Sequence, residues 1–281
     1  MPDRQTPRKN DEIALLFQDH QAEQLVQLVT AQIEYPQQQS VAEAQGQLQL
    51  GLTERRHTRG RRQMDHHQGA RAGMSQIGRG LFDLLSEAGD VFSHGTAIGV
   101  SIQLLHALKT LHSIGYLHLD VKPENAAIGR AETKERGRIF LIDFGLARRY
   151  IRNDGRARRQ RKKTLFRGTP MYASIAAHAR DDYSRTSDIE SWFYTLVDMY
   201  TGKLPWTHVT SEHWIGKMKR LRLSHKPKEV QQRALHALLK KCPPMFYDIL
   251  LHIDDLDFLD RPNYEDIELA LRNYLNTTKH P

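Results

Sequence analysis

The chain has 281 residues, 39% hydrophobic and 26% charged, which is an ordinary balance for a soluble globular protein of one or two domains. Its single cysteine, Cys242, excludes an internal disulfide framework and points to a reducing compartment, the cytoplasm or the nucleus. No apolar run reaches the ~18 residues of a membrane span, and no apolar core of a signal peptide follows the polar N-terminus Met1 to Asn10. The net charge of +8 is concentrated in residues 148–167, which hold ten Arg or Lys and one acid, Asp154. The rest of the chain is close to neutral, so the basicity is a local device and does not by itself argue for nucleic acid.

Residues 11–35 carry Leu16, Val26, Val29 and Ile33 at helical spacing before Pro36, which predicts an amphipathic helix. Leu48, Leu50 and Leu52 alternate with small or polar residues and permit one short strand. Residues 53–73 are Arg, His, Gln and Gly with few large apolar side chains, a composition that predicts disorder. His57, His66 and His67 lack Cys or acidic partners at ligand spacing and do not make a metal tract. From Met74 the texture becomes globular. A short helix is expected at Leu81, Leu84 and Leu85, and a buried one over 95–114, with Ile98, Ile102, Leu105, Leu108 and Leu111 close to one face. Arg138 to Ile142 reads as a buried strand ending at Asp143. Asp188 to Tyr200 reads as an apolar helix closed by Gly202 and Pro205. Further helices are expected at 211–221, 230–241, 244–252 and 264–275, with Trp192, Trp206 and Trp214 in the core or between helices.

The chemistry lies in His118-Leu119-Asp120-Val121-Lys122-Pro123-Glu124-Asn125 and in Asp143-Phe144-Gly145. Phosphoryl transfer needs in-line positioning, magnesium on the phosphates and a carboxylate near the attacking hydroxyl. An Asp, four residues and an Asn, followed by a separate Asp-Phe-Gly, supply those groups. In this order, between a helix and two expected strands, the pattern resembles eukaryotic protein kinases. The resemblance implies ATP and Mg as cofactors. Asp120 would orient or deprotonate the substrate hydroxyl and Lys122 would neutralise the transferring phosphoryl group. Asn125 and Asp143 would hold magnesium, and Ala127 and Ile142 would floor the adenine pocket. Lys122 followed by Pro-Glu-Asn is similar to the serine/threonine class, in which Thr169 would help seat the acceptor residue.

A finer resemblance is to the casein kinase I group, including its tau-tubulin kinase branch. It rests on Leu141 to Tyr150, on Phe166-Arg167-Gly168-Thr169, and on Tyr172-Ala173-Ser174-Ile175 where most kinases carry Ala-Pro-Glu. Asp188-Ile189-Glu190-Ser191 and Gly202-Lys203-Leu204-Pro205-Trp206 also fit. The resemblance implies an α+β fold: a mainly α-helical kinase C-lobe over 74–275, with a short β-hairpin region and a tail at 276–281. Met74 to Gly78 would be the hinge strand. Three departures stand out. Leu119 replaces the Arg that grips an activation-loop phosphate, so switching through Thr164 by that route is not expected. Met171 replaces an Arg that helps bind acidic or phosphorylated substrates. Residues 1–73 contain no Gly-x-Gly-x-x-Gly and no Val-Ala-Ile-Lys-like strand, and Lys9 is the only lysine before the hinge, so no regular kinase N-lobe is expected.

The basic segment 148–167 admits two readings, a solvated activation loop or a surface for protein substrates with acidic or phosphorylated patches. Arg148, Arg149, Lys163 and Arg167 are the candidates for the second, because guanidinium forks bind carboxylate and phosphate through charge-assisted hydrogen bonds. Residues 156–163 also resemble a nucleic-acid patch, but no aromatic residues are interleaved for base stacking, which disfavours it. Three functions follow: a casein kinase I-like serine/threonine kinase, a pseudokinase that presents its basic surface to acidic partners, and nucleic-acid binding.

Overall fold

The computed structural model describes residues 77–152, 154–223 and 225–278. The helix expected over 11–35, the strand at 48–52, the disorder of 53–73 and the hinge positions Met74 to Gln76 lie outside the described residues. The elements in chain order are β1 (Ile77–Gly80), α1 (Leu81–Glu87), α2 (His94–Ser113), β2 (Tyr116–Leu117), β3 (Ala126–Gly129), β4 (Ile139–Leu141), β5 (Arg148–Arg149), α3 (Ile175–Ala179), α4 (Arg185–Thr201), α5 (Glu212–Arg220), α6 (Lys228–Leu239), α7 (Met245–Asp254) and α8 (Tyr264–Thr277). Two single turns of 3-10 helix, Pro123–Asn125 and Phe144–Leu146, sit in the loops between strands.

Five short strands make two small antiparallel sheets. One has the order β1-β3-β4, with Ala126 opposite Leu141 and Ala127 opposite Phe140. The other pairs β2 with β5, Tyr116 opposite Arg149 and Leu117 opposite Arg148. These two sheets bracket the loop 118–125 and fix both of its ends. Among the described residues the other regular elements are helices joined by loops, the mainly α-helical α+β fold that the resemblance implied.

Helix α4 is the hub. Fourteen of its 17 residues are buried, so it has no solvent face and packs on all sides. Trp192 donates from Nε1 to the Ser101 carbonyl at 2.8 Å and locks α4 against α2. Three buried carboxylates on α4 each have assigned partners, as burial of charge requires. Asp188 holds the loop 118–125. Glu190 accepts from Tyr194 Oη (2.6 Å), the Ile175 amide (3.0 Å) and Arg222 (3.0 Å). Asp198 accepts from Tyr172 Oη at 2.8 Å, and burial pushes its carboxyl up to about 6. The helix ends where Gly202 enters the left-handed region at φ 77°, which releases the chain towards Pro205.

Among the described residues the expected helices form, with ends displaced by a few residues. α8 starts at the Asn263 cap, which accepts from the Asp266 amide, and runs to Thr277, past 275, where Tyr274 and Leu275 still pack on the core. Trp192 and Trp206 are buried as expected. Trp214 is not: it is 55% exposed. On α5 the buried residues are Ile215, Gly216 and Lys219, and Trp214 falls outside that stripe, with the Lys217 ammonium 4.5 Å above its ring.

Candidate active site

The loop from His118 to Asn125 owes its shape to Asp188. Its Oδ2 accepts from the His118 amide at 2.7 Å and its Oδ1 from the Leu119 amide at 2.8 Å. His112 Nε2 also contacts Oδ2 at 2.9 Å, and His112 Nδ1 meets Tyr264 Oη at 2.6 Å. The last turn of α2, the start of α8 and α4 thus converge on the loop. They hold Leu119 at φ 70°, a conformation that costs a branched side chain on the order of 1 kcal/mol or more. The Leu119 side chain is buried with Leu117, Ala173, Ala177 and Tyr183. It can offer nothing to a phosphate, in keeping with the reading of this position as a departure.

The next residue, Asp120, is the centre of a hydrogen-bonded cluster. Asp120 Oδ1 accepts from Thr169 Oγ1 at 2.8 Å, and Lys122 Nζ donates to the same hydroxyl at 2.7 Å. The Lys122 ammonium lies 3.2 Å from Asp120 Oδ2. Asn125 Nδ2 donates to the Asp120 carbonyl at 2.8 Å and to Oδ2 at 3.0 Å. Asp120, Lys122 and Thr169, expected around the acceptor hydroxyl and the transferring group, and Asn125, expected to hold magnesium, are one hydrogen-bonded unit. Gly168 makes the approach possible: it sits at φ 94°, and a Cβ there would lie 2.7 Å from the Leu119 carbonyl oxygen.

Asp143 stands in the left-handed region at φ 60° and accepts from the Gly145 amide, which starts the turn Phe144–Leu146. Phe144 sets its ring 5.2 Å from His118, edge to face. His118 is fully buried, so its imidazole is held below its ordinary pKa, mainly by desolvation, and Nε2 donates to the Ile142 carbonyl at 3.1 Å. The Asp-Phe-Gly segment is thereby fastened to the catalytic loop. Ala127 is buried in β3 and Ile142 is half-buried just before Asp143, where a floor under a nucleotide base would lie.

These groups fit magnesium. Both hydrogens of the Asn125 amide are directed at Asp120, which leaves its Oδ1 as the acceptor, and Asp143 adds a carboxylate. A hard cation that keeps most of its shell for phosphate and water takes one or two such oxygens. The described residues contain no group of three or more His, Cys, Asp or Glu that could hold a metal. When bound, magnesium would neutralise charge on the nucleotide phosphates.

The candidate substrate residues separate. Arg148 donates to Asp182 (2.9 Å) and to the Tyr183 carbonyl (3.2 Å). Lys163 donates to Asp181 and the Ala179 carbonyl, both at 3.0 Å. Arg149 lines an arginine cleft with Arg158 and Arg185, and exposed Arg167 donates its amide to Tyr183 Oη at 2.6 Å. Two further residues that order this segment were not singled out from the sequence. Buried Asp182 accepts from Arg148, from the Arg161 amide and from the Arg161 guanidinium. Lys219 is wholly buried and donates to the carbonyls of Pro170 (3.0 Å), Met171 (3.0 Å) and Ala173 (2.6 Å), the loop that follows Thr169. Only the acidic pair Asp181-Asp182 hinted at the first, and no local spacing marks the second.

Comparison with known proteins agrees with this geometry. Residues 72–268 match the protein kinase domain family model. A Dictyostelium discoideum protein named as a serine/threonine-protein kinase is 38% identical over 71% of this chain and 38% of its own length. The casein kinase 1-like protein HD16 of rice is 31% identical over 68% of this chain and 26% of its own. A Caenorhabditis elegans protein named as an inactive tau-tubulin kinase is 32% identical over 68% of this chain and 65% of its own. The chain thus spans well under half the length of the first two. It belongs to the protein kinase family, is of the serine/threonine type, and has casein kinase I-like proteins among its relatives.

Proposed function

We propose that this chain performs casein kinase I-like phosphoryl transfer from ATP to Ser or Thr of acidic or phosphate-primed proteins. The carrying observation is the Asp120–Lys122–Thr169–Asn125 unit, in which the acceptor-side groups are already hydrogen-bonded to one another. Asp120 would receive or orient the hydroxyl, Lys122 would offset charge on the transferring group, and Asn125 with Asp143 would carry magnesium. The excess of Arg and Lys over 148–167 supports acidic substrates, and the protein would act in the cytoplasm or the nucleus.

The nucleotide-side groups are the weak half. Residues 1–73 contain no Gly-x-Gly-x-x-Gly and no Val-Ala-Ile-Lys-like run. Losing one preorganised charge-stabilising contact commonly costs about 10²–10³ in rate, so turnover by this chain alone is expected to be low. That sequence feature favours a second reading, a catalytically impaired chain that binds acidic partners. Two measurements decide between them: thermal stabilisation by ATP with magnesium, and phosphorylation of acidic and primed serine peptides. Turnover abolished by Asp120→Asn establishes the first reading. No turnover and no ATP-dependent stabilisation overturns the first reading.

A further inference from the structure

Away from the catalytic loop, a cleft of about 530 Å³ opens between the basic segment and the 258–259 turn. Seven arginines and a single acid, Asp182, line it. None of Asp120, Lys122, Asn125, Asp143 or Thr169 does. Asp182 is already committed to Arg148 and Arg161, and Arg152 pairs with Asp154 at 3.2 Å. Exposed Arg158 and Arg159 have no carboxylate partner among the described residues. Their backbone is held in place. Ile151 bridges Ala157 antiparallel, the Arg152 amide donates to the Arg156 carbonyl, and the Arg158 amide donates to the Tyr150 carbonyl at 2.8 Å. This hairpin presents guanidinium forks on a fixed support.

The chemistry of the walls selects the ligand. Clustered arginines suit phosphoryl oxygens, which take two or more forks at once. A nucleic acid would also need rings for its bases. Both tyrosines of the cleft already carry an arginine against the ring, Arg185 at 5.3 Å from Tyr150 and Arg148 at 6.0 Å from Tyr183, which leaves Phe258 as the one other ring among the lining residues, too few for successive bases. The opposite rim is apolar, with Phe258 and Leu259, the latter 61% exposed. A free phosphate compound would leave that rim bare.

We infer that this cleft is a docking site for a phosphorylated peptide segment with an apolar residue beside its phosphate, separate from the site of phosphoryl transfer. Capture of such a peptide requires no catalysis, so this inference and the kinase reading fail independently.

The test is fluorescence anisotropy of the full chain with a labelled peptide holding phosphoserine next to leucine, against its unphosphorylated twin, at physiological salt. The phosphopeptide is expected to bind at least about tenfold more tightly. The double variant Arg158→Glu/Arg159→Glu, at exposed positions outside the catalytic unit, erases that difference. Arg158→Lys/Arg159→Lys retains part of it, since it keeps charge and loses the fork. Equal affinity for the two peptides, or unchanged affinity in the charge-reversed protein, overturns the inference. So does tighter binding of a single-stranded oligothymidylate of equal charge, or indifference to replacing the peptide leucine by asparagine.

Discussion

Thr169 Oγ1 donates to Asp120 Oδ1 at 2.8 Å while accepting from Lys122 Nζ at 2.7 Å, so one hydroxyl sets the spacing of the carboxylate and the ammonium. Thr169→Val removes both bonds at nearly constant volume. Lys122 is left to close on Asp120 alone, and the carboxylate loses its fixed orientation. Misplacing a reacting group by about 1 Å can cost on the order of 10² in rate. Peptide phosphorylation by Thr169→Val is expected to fall by about 10- to 100-fold in kcat, with the nucleotide affinity unchanged. Thr169→Ser, which restores the hydroxyl, returns most of it. Steady-state kinetics on an acidic serine peptide provide the check.

Gly168 offers a stability test next door. Alanine there would adopt φ 94°, outside the regions open to L-residues, and would press its Cβ to 2.7 Å from the Leu119 carbonyl oxygen. The strain alone is worth about 1–3 kcal/mol. Gly168→Ala should lower the thermal midpoint by several degrees and reduce turnover, because the displaced carbonyl adjoins Asp120. A melting curve identical to that of the parent chain would remove this account of Gly168.

Asp188 takes three donors from inside the fold, the amides of His118 and Leu119 and His112 Nε2. Asparagine keeps one oxygen and places an NH₂ group where a donor already points. Each buried polar group left unpaired costs about 1–3 kcal/mol. Asp188→Asn is therefore expected to lose about 3 kcal/mol by urea unfolding and to abolish turnover. Tyr264→Phe removes only the outer bond to His112 and should cost about 1 kcal/mol.

These three sites differ in how far the sequence disclosed them. Asp120, Lys122, Asn125 and Thr169 could be read because their roles are tied to short fixed spacings, and their joint geometry follows from two close loops. Helices α2 and α4 could be read because long apolar runs announce buried helices. Trp214 misled because a tryptophan on a short helix is judged by its type, whereas its angular position beside Ile215 and Gly216 decides its exposure. Lys219 and Asp182 were hidden for a different reason. A buried charge reads like any surface charge until its partners are known. The carbonyl partners of Lys219 lie 46 or more residues away, and the arginine partners of Asp182 lie 21 and 34 residues away.

The last consequence concerns pH. His178 has a side chain 1% exposed, and Nε2 contacts the Pro170 carbonyl at 3.2 Å. Lys219 lies 3.5 Å from Nε2, and Arg220 and Arg180 also face the ring, while Glu212 stands 3.9 Å from Nδ1. Desolvation first and the Lys219 charge second push the imidazole down to about 3. Unfolded, it titrates near 6.5. Between those values the unfolded chain holds a proton that the folded chain does not, so this group makes stability rise with pH across the window. Its contribution is fully present above about 6.5 and is lost as the pH falls towards 3, by at most about 1.4 kcal/mol per pH unit. His178→Gln, neutral throughout, should be destabilised near neutral pH by loss of the ring contact with Phe166, whose centroid lies 5.4 Å from that of His178. Its urea midpoint should nevertheless fall less steeply from pH 6.5 to 4.5 than that of the parent chain. Parallel pH profiles for the two proteins would show that His178 is not the titrating group.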